Sequence, residues 1–178
     1  MCVAACADLF ADDGEILASP MGLIPSLGAR LARLTSAPEL LLSDGEATLL
    51  GPDGAPEGWL PFRQVFDVVA YGRRHVVMGA NQVDRYGNQN ISCIGDWARP
   101  RAQLLGVRGA PGNTVNHPVS YWIPRHSRRV LVPRVDMVSG VGNDRPPPLS
   151  ARHGRPNAPA AHSGRRRRIL YPTPGLFL

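Results

Sequence analysis

Small apolar residues recur at helical spacing through CVAACADLFADD, residues 2–13, and the run meets Gly14, a residue suited to the position just past a helix. EILAS at 15–19 then predicts a short strand. Over 25–35, Leu27, Leu31 and Leu34 recur at intervals of four and three, with Arg30 and Arg33 beside them, so the spacing predicts an amphipathic helix that Pro38 ends. Residues 39–42 form a compact apolar run that stops at Ser43-Asp44-Gly45, a strand entering a turn. A loop rich in Gly and Pro covers 51–58. PFRQVFDVVAYG then predicts a helix with Pro61 at its first position, Gly72 past its end, and an apolar face of Phe62, Val65, Phe66 and Val69. HVVMG at 75–79 reads as a buried strand, and ANQVDRYGNQNIS as two strand-like arms about a turn at 86–88. Residues 103–107 predict another strand, ahead of the glycine-rich loop RGAPGN at 108–113 and of Thr114, placed to cap a short helix. Residues 130–132 and 135–138 supply the last strand-like material.

Strands separated by helices imply an α/β fold: a mostly parallel open sheet with helices on both faces, in which ligands sit beyond the carboxyl ends of the strands. With 178 residues, 43% of them hydrophobic, the chain has room for one such domain but not two. The charge divides it. All 20 basic residues are Arg; residues 1–144 hold 13 of them against 14 acids, whereas 145–178 hold seven and no acid. The domain is therefore assigned to 1–144, near neutral, and 145–178 to an Arg/Pro-rich tail with no helix or strand period, in which only ILYPTPGLFL has the apolar content to dock. Such a tail reads as disordered, as a nucleic-acid-binding arm, or as out-of-frame translation of a G+C-rich gene, and the change of character within one or two residues favours the last. The net charge of +6 thus reports a tail rather than a patterned binding face.

Cys2, Cys6 and Cys93 form neither a disulfide framework nor a paired zinc spacing, which points to a reducing, cytoplasmic setting. Asp8, Asp12, Asp13 and Glu15 follow the first apolar stretch too closely for a signal peptide, and no apolar run reaches membrane-spanning length. Phosphate-loop, dinucleotide-binding, nucleophile-elbow and zinc-protease signatures are all missing. His75, His117 and His126 have no metal spacing and read as ordinary residues, so no metal is expected.

Two polar loops carry the candidate chemistry. In Ser43-Asp44-Gly45-Glu46, two carboxylates follow a strand at the edge of the ligand crevice, where a carboxylate serves as nucleophile or base on an acyl group; the alternative is a strand-to-turn Asp beside a solvated Glu. In Arg108-Gly109-Ala110-Pro111-Gly112-Asn113, bare backbone can approach an oxyanion or phosphate, or simply make a tight turn. The amide-rich segments 81–84 and 87–90, with Asn81 and Gln82, either orient a polar ligand or close a turn.

Taken together, GANQVDRYGNQN at 79–90, IGDWARPRAQLLGVRGAPGN at 94–113 and RRVLVPRVDMVSGVG at 128–142 resemble the β subunits of class I CoA-transferases of the glutaconate CoA-transferase type. MGLIPSLGARLARLTSAPELLLSDGEATLL and EGWLPFRQVFDVVAYGRRHVVMGANQVDRYGNQN resemble most the branch of that superfamily formed by actinobacterial hydrolases that open the last steroid ring in cholesterol catabolism. The resemblance covers residues 1–144 and implies that the family's further strands and helices are replaced by the tail. It implies a heteromer with an α subunit, of α2β2 type, acting on an acyl-CoA; coenzyme A enters as part of the substrate and no cofactor is bound. It places Asp44 and Glu46 at the family's glutamate turn, where transferases form a glutamyl-CoA. Asp is one methylene shorter than that Glu, by more than about 1 Å, a displacement that can cost on the order of 10²-fold. The resemblance therefore implies hydrolysis, with the catalytic carboxylate on the α subunit and with Gly109, Ala110, Gly112 and Asn113 matching the family's Gly-rich loop at the substrate site. Arg108 stands where transferases usually carry a small residue and is expected to meet a substrate carboxylate or a CoA phosphate, with Ser43, Asn81 and Gln82 as further candidate substrate contacts. The alternatives are a true CoA-transferase β subunit for small dicarboxylic acyl groups, a nucleic-acid binder using Arg165 to Arg168, or a truncated product without function.

Overall fold

The computed structural model describes residues 1–143 and the backbone of 168–170. The rest of 144–178, including most of the stretch read as a disordered or out-of-frame tail, lies outside the described residues. The elements run α1 (Cys2–Asp8), β1 (Leu17–Pro20), α2 (Leu23–Leu34), β2 (Leu41–Ser43), β3 (Thr48–Leu50), β4 (Pro56–Trp59), α3 (Phe62–Tyr71), β5 (Arg74–Met78), β6 (Gln82–Val83), β7 (Gln89–Asn90), β8 (Cys93–Ile94), β9 (Ala102–Gln103), α4 (Ala110–Asn116), β10 (Val119–Trp122) and β11 (Arg168–Leu170).

The sheet grows around the run RHVVM, in which all five residues of β5 are buried, as a strand covered on both faces requires. Its order is β11-β10-β5-β1-β2-β3-β4. The first five are parallel and the hairpin β3–β4 closes one edge antiparallel. Alternation along β5 feeds two cores. Val77 packs with Cys6, Phe10, Ala18, Ala29, Ala32 and Leu40 under α1 and α2. Val76 and Met78 pack with Val83, Ala110, Val119 and Tyr121 on the opposite face, under α4 and the segment that follows β5. The mostly parallel α/β sheet with helices on both faces is therefore as the sequence predicts.

Several details differ. In α2 the buried residues are Pro25, Gly28, Ala29 and Ala32. The leucines of the expected core stripe lie outward, Leu27 41% and Leu34 78% exposed, with Leu31 half-buried. Close approach explains the inversion: a Cβ on Gly28 would lie 2.3 Å from Cys6 Cβ, so only small side chains fit between α1 and α2. In α3 no residue is buried, and Phe62 and Phe66 are 79% and 57% exposed. That helix is held at its far end, where the Val69 carbonyl accepts hydrogen bonds from Asn116 Nδ2 at 3.0 Å and His117 Nε2 at 2.9 Å. Pro61 is its N-cap rather than its first helical residue.

The 51–58 stretch is partly strand. Gly51 N–H bonds to the Ala55 carbonyl at 2.8 Å, Asp53 Oδ1 accepts the Ala55 N–H, and Gly54 takes φ +82°, so these breaker residues build the turn of the β3–β4 hairpin. The predicted strand at 103–107 shrinks to β9, paired with β8, because Gly106 at φ +84° turns the chain. Thr114 lies inside α4, its hydroxyl donating to the Ala110 carbonyl at 2.9 Å, and Gly109 is the N-cap. The 130–138 segment contributes only an isolated bridge, Val83 to Leu131. On the side of β5 away from β1 the paired strand is β10, with Val119, Ser120 and Tyr121 fully buried.

Candidate functional site

β2 ends at Ser43, and the chain turns back at once to form β3. Gly45 makes this possible: at φ +95° it lies so close to Pro20 that a Cβ would fall 2.5 Å from the Pro20 carbonyl oxygen. Asp44 clamps the turn. Its Oδ1 accepts the backbone N–H groups of Glu46, Ala47 and Thr48 at 2.8, 3.0 and 3.1 Å. Partial burial alone would raise its pKa, but the amides of Glu46, Thr48 and Ala47 and the Thr48 hydroxyl together hold it below the usual carboxylate value. A carboxylate so stabilised is a weak base and a weak nucleophile. Glu46, by contrast, projects outward with its side chain 76% exposed.

The second loop comes to the first. Arg108 Nη2 lies 3.9 Å from Glu46 Oε1. Arg108 is the one non-glycine residue with positive φ, +48°, among the described residues, so the chain holds it in a strained conformation at the entrance to α4. Beyond it the residues divide by role. Ala110 is buried in the core, its N–H committed to the Val107 carbonyl at 3.1 Å. Gly112 is a packing glycine, since a Cβ there would lie 2.7 Å from Val69 Cγ1 of α3. Asn113 is buried and its N–H bonds to the Gly109 carbonyl. Of this loop Arg108, Gly109 and Pro111 are exposed.

Beneath the two loops runs a polar chain that sequence reasoning missed. The Ser43 hydroxyl lies 3.0 Å from the Ala18 carbonyl and 3.3 Å from Ser19 Oγ. Ser19 Oγ accepts Arg74 Nε at 3.1 Å, and Arg74 Nη1 reaches Asn113 Oδ1 at 3.5 Å. Ser19, Ser43, Arg74 and Asn113 are all buried. Burial pushes the guanidinium pKa down from its usual value, and arginine at such a site still stays charged. The signal for Arg74 was a cation at the first position of a fully buried strand.

Asn81 and Gln82 lie elsewhere in the network. Gln82 is buried; its Nε2 donates to Asp136 Oδ2 at 3.0 Å, and its Oε1 accepts Asn90 Nδ2 at 2.7 Å and the Asp136 N–H at 2.9 Å. Asp84 accepts the N–H groups of Tyr86 and Asn88. The amide-rich segment therefore closes its own hairpin, and of its residues Asn81 is exposed. His75, read as ordinary, holds Asp13 Oδ2 at 2.5 Å and Ser120 Oγ at 2.9 Å on the α1 face of the sheet. Among the described residues no three His, Cys, Asp or Glu side chains converge as a metal ion would need. None of the helices is long and apolar enough to cross a membrane, again among the described residues.

No family model matches the chain. Known proteins do. It is 60% identical over 149 residues, 80% of its length, to the cholesterol ring-cleaving hydrolase IpdB subunit of Rhodococcus jostii. It is 32% identical over 140 residues, 67% of its length, to one of the subunits of 3-oxoadipate CoA-transferase from Pseudomonas knackmussii. Its fold superposes on the crystal structure of Rhodococcus jostii IpdAB with a TM-score of 0.77 and 59% identity, over 83% of this chain. The chain is thus similar to subunits of a ring-cleaving hydrolase and of a CoA-transferase. It spans 59% of the IpdB subunit, 52% of the transferase subunit and 62% of the crystallised chain.

Proposed function

We propose that the chain is the β subunit of a heteromeric enzyme that hydrolyses a carbon–carbon bond in a cyclic β-keto acyl-CoA, opening the last steroid ring in cholesterol catabolism. The observation that carries this reading is the sustained identity to a ring-cleaving hydrolase subunit, nearly twice that to the transferase subunit. The site geometry supports it from a second side: Asp44, at the position of the transferase glutamate, is tied to three backbone amides and is poorly placed to form an acyl-enzyme.

In this reading a carboxylate of the α subunit takes a proton from water, and the water oxygen adds to the ring ketone. The bond between that carbon and the α-carbon of the thioester breaks. Its electron pair leaves as the thioester enolate, which takes up a proton, so the ring oxygen ends in a new carboxylate. This chain supplies the floor and rim: Ser43 and Asn113 fix the two loops, the Gly109 backbone faces the developing oxyanion, and Arg108, oriented by Glu46, meets the phosphates of the CoA arm. Asn81 lies at the outer margin. Gln82 serves by its hydrogen bonds to Asp136 and Asn90, and Ala110 and Gly112 by packing.

The experiment is a reaction of the chain, co-purified with its α subunit, on the cyclic β-keto thioester in ¹⁸O-labelled water. One label in the new carboxylate and no borohydride-reducible or hydroxylamine-sensitive adduct on Asp44 is the expected result. An Asp44 adduct with transfer of CoA to a dicarboxylic acid would instead make the protein a transferase. Salt-dependent RNA binding with neither ring opening nor CoA transfer would remove both readings.

A further inference from the structure

Arg74 is the charged group that the proposed reaction leaves unused. It is 4% exposed, and no carboxylate lies within 4.0 Å of its guanidinium among the described residues. Of its N–H groups, Nε and Nη1 have neutral partners, Ser19 and Asn113, and Nη2 has none among the described residues. Gln89 Oε1 is the one fully buried side-chain polar atom without a partner among the described residues, so Nη2 is not sealed from solvent. A cation withdrawn from water and left without a counter-ion is destabilising, and replacing it by an apolar residue of similar size is commonly neutral or favourable to stability. A chain that keeps such a charge directly beneath two loops of its ligand face keeps it for an anion that arrives from outside.

We propose that Arg74 is an anion-binding residue of the site, its Nη2 edge taking a carboxylate of a dicarboxylic acyl ligand on the floor between the Ser43–Glu46 turn and α4. The proposal rests on the reading of this face as the ligand site. It separates the two arginines by job. Arg108, with a side chain 60% exposed and Glu46 beside it, is screened by water and suits a phosphate at the rim. Arg74 is desolvated, fixed by two hydrogen bonds, and presents the planar fork that carboxylates match.

The test uses glutarate as probe and the full chain in thermal denaturation, against sodium chloride of equal ionic strength. Glutarate is expected to raise the wild-type midpoint by about 3 °C at saturating concentration. Arg74→Met is expected to abolish the rise, and Arg74→Lys to retain it with an apparent affinity roughly tenfold lower, because the ammonium keeps the charge and loses the fork. Each variant is measured against its own ligand-free midpoint, so altered stability does not enter, and if Arg74→Met does not fold, Arg74→Lys decides alone. A wild-type chain indifferent to glutarate, a rise that survives in Arg74→Met or is undiminished in Arg74→Lys, or a rise lost instead in Arg108→Ala overturns the proposal. Glutarate binding through Arg74 with neither opening of the cyclic β-keto thioester nor transfer of CoA would overturn the enzymatic reading and leave the anion site standing.

Discussion

His75 and Arg74 are neighbours on β5, and strand alternation sends them to opposite faces of the sheet. On the α1–α2 face, His75 is sandwiched between Asp13 and Ser120, with the Phe10 ring 4.9 Å away. On the other face, Arg74 has two neutral partners and no acid. The surroundings differ in the same sense. Under α1 and α2 the packing is so close that Gly28 has no room for a Cβ, whereas the opposite face ends in two exposed polar loops. A buried polar group that is fully partnered belongs to the architecture; one left short of its counter-charge marks where a ligand completes the protein.

That contrast can be broken by substitution. Gly28→Val is expected to give the largest loss, about 3 kcal/mol, since its side chain would overlap Cys6 and force α1 from α2; chemical denaturation measures it, and a loss below about 1 kcal/mol would mean that the two helices separate freely. Asp13→Ala comes next, at about 2 kcal/mol, because it strips buried His75 of its partner on the closed face. Asp44→Asn is expected to be smallest, about 0.5 kcal/mol at neutral pH, an exposed turn losing charge-assisted bonds to three amides. Its pH dependence has a definite sign. The folded-state pKa of Asp44 is lowered, so its contribution is present above the unfolded value of about 3.9 and is lost as pH falls through the folded value. The stability gap between wild type and Asp44→Asn should therefore close on acidification below about pH 4, and a gap that widens there would remove the amide clamp as its cause.

Much of the fold was legible because periodicity is a local signal. HVVMG could only be a buried strand, and the Tyr86-Gly87-Asn88 turn between polar arms is the hairpin β6–β7. The pattern of α2 gave its existence but the wrong face, because burial there is decided by how closely α1 approaches, and that distance is written in Gly28, Ala29 and Ala32 rather than in the leucines. The outward leucines of α2 and phenylalanines of α3 obey the same amphipathic rule, with no part of the described chain covering them. β10 escaped notice because VSYW is four residues flanked by prolines, too short to show a period. At the site, both loops were legible as polar breaks after apolar runs. Their meeting was not, nor was Arg74, since the apolar run predicts a strand that starts at His75, whereas β5 begins one residue earlier, at the second arginine.

The polar chain under the loops has a kinetic corollary. Ser43 meets Ala18 across 25 residues of sequence, Arg74 meets Asn113 across 39 and Ser19 across 55. Each contact closes a long loop of chain before any local gain offsets the lost entropy, the situation in which folding is slow and highly cooperative. During synthesis the anchor of α4 cannot be in place until Asn113 has left the ribosome, long after the helices α1 and α2 are able to pair. The two loops are thus tied together only after the α1–α2 core is able to form.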